Sequence, residues 1–483
     1  MSNYSFHNFM FPFRWHIKQM DNDLFSEQIK LNNINFHADA NWERVSVPSH
    51  SDECGDLYNE RSYFYEFVHD ALYDTGTDSS LVRHYERVEP RSGNVRYRIV
   101  ANGKEYMLRV YAINLNLYST GVGVLSFYMH NDQYPDPQSV MAINQYGRRV
   151  YPPFISDVQL RLEIASSIGF VGLHGNETGY SEDFSRYTYN TPHNTPASFI
   201  TTMIHEVAPN IIVKPVVDDR MFVLSWYIND EWANVLKNNY QEFLSENRWY
   251  EYVFVDKYNG LTCQNKEMQK QLIHDATYQR WQLWGTVYGV SRYSMVCLAG
   301  SGCPMHILRY FETEYVRMAE LVLVQKASLL RFSAEVTNIS ELRNSRKLPF
   351  KVGSLYKEYI RFVNQIHFRE VTAQDQGIEM YQKLYGVLAI EKQVEKLDNE
   401  IEELHAYVSL CDDRNNTETM SLLTWIATIF APITLCAGIF GMNHTDTKWY
   451  EQWGEQWIAI GVFTVLVIVI VSIIIIIKNR RKL

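Results

Sequence analysis

The sequence predicts a cytoplasmic α/β domain followed by a long helical stalk and two C-terminal transmembrane helices. Three observations carry that expectation: strand-like alternation with turn signals in the N-terminal part, an apolar heptad between residues 387 and 408, and two charge-poor apolar runs near the C-terminus. The segments that follow are 1–305, an α/β domain; 306–419, a helical region with the stalk; 420–441, the first transmembrane helix; 442–457, an outer loop; 458–477, the second transmembrane helix; and 478–483, a basic cytoplasmic tail.

In the first segment, Val95, Tyr97 and Ile99 alternate with polar residues, Asn102-Gly103 supplies a two-residue turn, and Tyr106, Leu108 and Val110 resume the alternation. This is the pattern of a β-hairpin. The apolar run Gly123 to Met129 and the β-like stretches Ile211 to Val217 and Met221 to Tyr227 extend it to a sheet, while Val158 to Ser167 and Asp230 to Asn247 have helical spacing. No repeat or low-complexity stretch interrupts the domain.

Beyond Pro304 the pattern changes to long helices, with Pro349 and Gly353 as the clearest break. Val387, Ile390, Val394, Leu397, Ile401, Leu404 and Val408 step by threes and fours, and Glu391, Lys392, Glu395, Lys396 and Glu400 occupy the outer faces. Such a seam belongs either to a helix packed on its own domain or to a stalk that associates around a symmetry axis. A pore built from two-span subunits needs several chains, which adds weight to the stalk.

Ser421 to Phe440 contains no charged side chain, and Ile458 to Ile477 is almost wholly apolar and ends in consecutive isoleucines. At a rise of about 1.5 Å per residue, roughly twenty residues cover the ~30 Å hydrocarbon core of a bilayer. Lys478, Arg480, Arg481 and Lys482 follow the second run, whereas the loop between the runs holds Lys448 against Asp446, Glu451 and Glu455. The positive-inside rule then puts both termini in the cytoplasm, with Trp449, Tyr450, Trp453 and Trp457 as an aromatic belt at the outer interface.

Charged residues make up 21% of the chain despite these runs, which agrees with a soluble body tethered by a small membrane piece. Residues 1–19 lack the basic start and apolar core of a secretory leader, so the internal spans are expected to direct targeting. The six cysteines are scattered, and most are expected as free thiols in a reducing compartment. A net charge of −10 argues against a general polyanion-binding surface and leaves room for a local basic pocket.

At the end of the first span, Thr428-Ile429-Phe430, Pro432-Ile433-Thr434 and Ala437-Gly438-Ile439-Phe440 lead into Gly441-Met442-Asn443. Together with the second span, the short loop and the basic tail, this arrangement resembles the CorA family of magnesium channels, closely over residues 415–483 and more loosely back to about residue 306. The resemblance implies a homo-oligomer, a pentamer as in the family, in the cell inner membrane. It implies Mg²⁺ as the transported ion, a selectivity motif at Gly441, Met442 and Asn443, no cofactor and no catalytic residue. Mg²⁺ releases its water reluctantly. A ring of Asn443 amide oxygens would therefore contact the ion through its bound water. Thr417, Met420, Leu423, Ala427, Ala431 and Thr434 are the expected pore lining, with Met420 and Leu423 as an apolar constriction; helix packing is the alternative for each. Thr417 stands where the family commonly has an asparagine. Asp412 and Asp413 are the available candidates for an acidic gating site.

The N-terminal segment does not align with the family's ordinary cytoplasmic domain. Its size resembles, in architecture, the CorA-like membrane effectors of type III CRISPR systems, which implies a small nucleotide ligand. Arg148, Arg149 and Asp219 are the candidate nucleotide-binding residues, with Asp218 and Arg220 beside them and Arg91, Arg96, Arg98 and Arg109 around the hairpin. Arginine grips phosphate bidentately and aspartate accepts from a ribose or base, while the plain alternative is exposed turn charge. Gly121 and Gly123 lack a phosphate-binding pattern, Cys297, Cys303 and His306 lack a second ligand pair for zinc, and no nucleophile–base constellation is visible. Three readings remain: a housekeeping Mg²⁺ channel, a ligand-gated defence effector with the same pore, and a membrane-tethered enzyme or binding module.

Overall fold

The computed structural model describes residues 4–18, 25–36, 41–47, 56–151, 164–173, 180–187, 196–217, 220–256, 262–341, 348–441 and 461. The chain divides into two units, Met1–Leu404 and His405–Leu483.

The first unit is organised by one sheet. Its strands are β1 (Ser5–Ile17), β2 (Trp42–Arg44), β3 (Val82–Arg87), β4 (Arg96–Ala101), β5 (Lys104–Tyr118), β6 (Val122–Asn131), β7 (Ser167–Val171), β8 (Ser181–Asp183), β9 (Ile211–Pro215), β10 (Phe222–Ile228), β11 (Thr277–Tyr278), β12 (Val287–Val290) and β13 (Ser294–Ala299). They are ordered β11-β12-β13-β10-β1-β6-β5-β4-β7-β8, with β3 joining β2 to β5 and β9 on β1. Only the β10–β13 pair is parallel among the described residues. The expected hairpin is β4–β5, and Asn102 and Gly103 take φ of 51° and 73°, the left-handed pair that a tight right-twisted hairpin needs. The apolar run at Gly123 becomes β6, and the two later β-like stretches become β9 and β10.

The central strand β1 is buried on both faces. Phe9, Phe11, Phe13 and Trp15 enter one core with Tyr97, Phe127 and Phe199. The opposite face carries Phe6, whose ring meets Phe311 edge-on at 6.2 Å. Phe311 belongs to the helix Met305–Glu312, followed by the helices Glu314–Ser340, Leu348–Gln365, Asp375–Val387 and Ile390–Gly441. The helix Glu314–Ser340 is fastened to the sheet by polar contacts: Tyr118 donates to Glu320 at 2.8 Å, Ser328 bonds Thr120 at 2.8 Å, and Arg331 donates to the carbonyls of Trp15 and Gly121. Gly121 has φ of 73°, and a Cβ there would collide with the Arg331 guanidinium.

Three expectations change. The stretch Val158 to Ser167 is not a helix where it is described, since Ser167 opens β7 and residues 152–163 lie outside the described residues. Asp230 to Asn247 is broken into the helices Asp230–Asn238 and Tyr240–Ser245, because Asn229 and Asn239 each cap a new helix with a side-chain oxygen. Pro349 and Gly353 do not mark a break: Pro349 is the second residue of the helix Leu348–Gln365, where its missing N–H costs nothing, and Gly353 lies inside it.

The heptad seam also divides. Val387 ends one helix, Ala389 follows with φ of 53°, and Ile390, Val394, Leu397 and Ile401 are buried within the chain itself. Tyr359 hydrogen-bonds Asp398 from the helix Leu348–Gln365. Over these residues the seam packs on its own domain, and its apolar side chains are not left for a second copy.

Candidate functional site

Two places hold the residues singled out by the sequence. The first is the helix Ile390–Gly441. Thr417, Met420, Leu423, Ala427 and Thr434 are exposed on it, within an arc of about 120° together with position 431 at 100° per residue. Ala431 lies on the same helix, its side chain outside the described set; Gly441 is the helix's last residue, and Met442 and Asn443 lie outside the described residues. The side chains of Asp412 and Asp413 are likewise not described.

Met420, Leu422, Leu423, Ile426 and Phe430 are 64%, 60%, 54%, 45% and 58% exposed and, at 100° per residue, share one arc of about 160°. So wide an exposed apolar face calls for a cover other than water. The helix's hydroxyls are satisfied internally: Thr424 donates to the Met420 carbonyl, Thr428 to that of Thr424 and Thr434 to that of Phe430, at 2.7, 2.7 and 2.9 Å. Thr337 in the body makes the same bond to the Ser333 carbonyl, at 3.1 Å. Among the described residues no helix is long and apolar enough to cross a membrane. The second expected span, 458–477, lies outside the described residues except for position 461.

The second place is a cleft of about 230 Å³ in the α/β body, where Arg148, Arg149 and Arg220 meet Tyr250, Asp256 and Tyr293. The helix Pro137–Gly147, capped at its start by Asp136 accepting from the Ser139 amide at 2.8 Å, ends against the core: Tyr97 donates to the Gly147 carbonyl at 2.8 Å. Arg148 follows directly, near the helix's negative end, which favours a cation. It is 2% exposed, stacks on Tyr293 at 5.3 Å and donates to the Val255 carbonyl at 3.3 Å. Arg149 pairs by its backbone with Arg220, whose guanidinium covers the same Tyr293 ring at 5.0 Å. Asp256 accepts from the Thr262 amide at 2.9 Å.

Arg148 and Arg149 are thus brought together with Arg220, while Asp219, and Asp218 beside it, lie outside the described residues. The hairpin arginines go elsewhere: Arg91 binds Glu43 and Glu86, Arg96 the carbonyls of Gly93 and Val95, Arg98 binds Glu105, and Arg109 binds Asp132. They are structural charges. Sequence reasoning missed Tyr293, which forms the aromatic platform, and Val255. With φ of 49°, Val255 is a β-branched residue in the left-handed region, a strained position of the kind found at binding sites.

One catalytic look-alike is also present. Ser5 Oγ lies 2.9 Å from His7 Nε2, and His7 Nδ1 lies 2.7 Å from Asn144 Oδ1. All three residues are at most 1% exposed, and burial pushes the His7 pKa down to about 4. With no path for a substrate, the trio is a buried polar network. Among the described residues no group of side chains could hold a metal ion, and Cys263, Cys297 and Cys303 are free thiols as expected.

Residues 373–481 match the family model of the CorA-like Mg²⁺ transporter protein. The chain carries a CorA-like domain. A search of the curated proteins found no match to the chain. The CorA-like segment begins just before the helix Asp375–Val387 and takes in the whole of Ile390–Gly441, whereas the sheet and the arginine cleft lie outside it.

The CorA-like segment is tied to the body at its first helix. Arg280 reaches Glu379 at 2.7 Å, Tyr278 also donates to Glu379, and Lys383 donates to the Asp275 carbonyl at 2.6 Å. Burial lowers the Lys383 pKa. Lys326 caps the helix end through the Leu388 carbonyl at 3.1 Å, beside the left-handed Ala389 that precedes the long CorA-like helix.

Proposed function

We propose that the protein is a CorA-like oligomeric membrane channel for divalent cations, with Mg²⁺ as the transported ion, gated through its large N-terminal body. The observation that carries this reading is the CorA-like match over a helix that exposes one wide apolar face and ends at Gly441 of Gly-Met-Asn. A divalent cation transporter of this family needs no catalytic residue, and the buried Ser5–His7–Asn144 trio offers none to a substrate. Asn443 supplies the outer-mouth amide oxygen for hydrated Mg²⁺, and the arc from Thr417 to Thr434 lines the pore of a homo-oligomer, a pentamer by family resemblance. The membrane is the cell inner membrane, with both termini in the cytoplasm.

Gating through the body is supported by a continuous set of contacts. The helix Asn247–Phe254 leads into Val255 and Asp256 of the cleft, and Gln269 of the helix Lys266–Ala276 donates to Asn247 at 3.2 Å. That second helix runs on to Asp275, Tyr278 and Arg280, which hold Glu379 and Lys383. The decisive experiment is Mg²⁺ flux into proteoliposomes: Asn443→Ala abolishes selective flux, and full flux with unchanged preference in this variant would reject the pore assignment.

The cleft favours a second, more specific reading: a nucleotide-second-messenger-gated membrane effector of type III CRISPR antiviral defence that uses the same pore. Three arginines around one tyrosine suit phosphates and a base. Nucleotide binding by the full chain, lost in Arg148→Ala/Arg149→Ala, supports the effector. Rescue of Mg²⁺ starvation without nucleotide binding supports housekeeping transport.

A further inference from the structure

The second half of β1 carries a charge arrangement that folding alone does not explain. Arg14 and Lys214 stand directly opposite each other across the β1–β9 pair, and His16 lies two residues along β1, on the same face. Like charges in that position destabilise a sheet. Arg331 approaches the same place from the helix Glu314–Ser340. It is 3% exposed, its Nε has no hydrogen-bond partner, and its other contacts are two backbone carbonyls and the Phe25 ring at 5.0 Å. No carboxylate is ion-paired to Arg14, Lys214 or Arg331 among the described residues, and none of the three has a further partner. His16 senses the whole cluster: burial, then Arg331, Lys214 and Arg14, push its pKa down to about 4. It is therefore neutral at pH 7 and can donate a hydrogen bond. For Arg331, burial lowers the pKa, Glu335 opposes that and Arg14 adds to it.

We propose that Arg14, His16 and Lys214, backed by the buried Arg331, form a binding site for a phosphate-bearing anion, distinct from the arginine cleft. In a chain of net charge −10, Arg14, Lys214 and Arg331, with Glu335 acting on Arg331, make a local well for such an anion. Arg14 supplies a planar fork for two phosphate oxygens and Lys214 a point charge. Arg331 is held in place by Trp15 and Gly121 and adds a fixed charge that needs no rearrangement on binding. The site depends neither on the pore nor on the nucleotide reading of the cleft. The same chemistry serves a soluble phosphate compound or an anionic lipid headgroup.

The test uses the full chain in detergent at low salt, with pyrophosphate as one probe and short-chain phosphatidylglycerol as the other, against short-chain phosphatidylcholine. Binding is read by thermal shift and titration calorimetry on the wild type, Arg14→Gln, Lys214→Gln and the cleft variant Arg149→Gln. The expected result is that one probe raises the Tm and that Arg14→Gln or Lys214→Gln weakens its binding by about tenfold, as loss of one charge-assisted contact requires. Arg149→Gln leaves binding at this site unchanged. A response to pyrophosphate alone assigns a soluble phosphate, and a response to phosphatidylglycerol alone assigns a headgroup. Without ligand, the same two variants have a higher Tm than the wild type, because the cross-strand repulsion is gone. A lower Tm without ligand, unchanged binding in both variants, or no response of the wild type to either probe overturns the proposal.

Discussion

The sheet body and the helix Ile390–Gly441 treat apolar side chains in opposite ways. In the body, Phe9, Tyr97, Phe127 and Trp15 are wholly buried and their neighbours come from distant strands. On the helix, Met420, Leu422, Leu423, Ile426 and Phe430 stand exposed in a single chain. The body has built its own apolar phase. The described side chains of the helix have not, and in the proposed channel lipid and further copies supply one. The sheet lies outside the CorA-like segment, and the helix lies within it.

The largest expected effect probes the first half of that contrast. Phe127 packs its ring against Phe170 at 4.9 Å and Tyr97 at 6.3 Å with no exposure. Phe127→Ala should lower stability by about 3–5 kcal/mol, measured by chemical denaturation of the full chain in detergent. The second half is probed by Leu423→Asp. If Leu423 faces lipid or a dry pore wall, the charge costs less than the roughly 2.5–3.5 kcal/mol of one at the bilayer centre, because Leu423 stands near the start of the span, and recovery in the carbonate-resistant membrane fraction falls. If Leu423 faces water, the change stays within about 0.5 kcal/mol and membrane recovery is normal, which breaks the contrast.

The same contrast explains what could be read in the sequence. The β4–β5 hairpin was legible because Asn102-Gly103 is a local signal, and the C-terminal segment because its apolar runs and Gly-Met-Asn lie within a few dozen residues. The strand β1 was not. Buried on both faces, it has no alternation to detect, and Pro12 argues against a central strand. The register explains its presence: β10 pairs with β1 only as far as Met10 and β9 begins at Phe13, so Pro12 falls in the gap between two neighbours on one side. In the cleft, Arg148, Arg149 and Arg220 were visible as charges near turns. Tyr293 and Val255 were not, because they arrive from β13's approach and a helix end far along the chain, where only the fold supplies the connection.

A smaller effect comes from the buried histidines of the body. His7 and His84 both have pKa values pushed down to about 4 by burial, so the folded state holds them neutral where the unfolded chain would protonate them. Their contribution is therefore fully present above about pH 6.5 and is lost as pH falls towards about 4, at up to about 1.4 kcal/mol per pH unit for each. The buried Glu320, whose pKa is raised by burial, acts in the opposite sense within its own range. The check is the slope of unfolding free energy against pH for the wild type and His7→Asn. The variant should lose about one proton's worth of slope between pH 6.5 and 4, and an unchanged slope would remove His7 from the account.

The smallest effect on stability should accompany the largest effect on communication between the two regions. Glu379 accepts from Tyr278 and from Arg280, with the side chains of Arg280 and Glu379 38% and 46% exposed. Exposed pairs of this kind contribute about 0–1 kcal/mol. Glu379→Gln should therefore leave the denaturation midpoint nearly unchanged. Yet this contact joins the CorA-like helix Asp375–Val387 to the segment that follows the helix Lys266–Ala276, and so to the elements lining the arginine cleft. If the body governs the pore, Glu379→Gln changes the ligand dependence of Mg²⁺ flux in proteoliposomes while Asn443 still sets the ion preference. If flux in Glu379→Gln keeps the wild-type ligand dependence, the body and the pore are coupled elsewhere, and Lys326 at the Leu388 carbonyl becomes the contact to test.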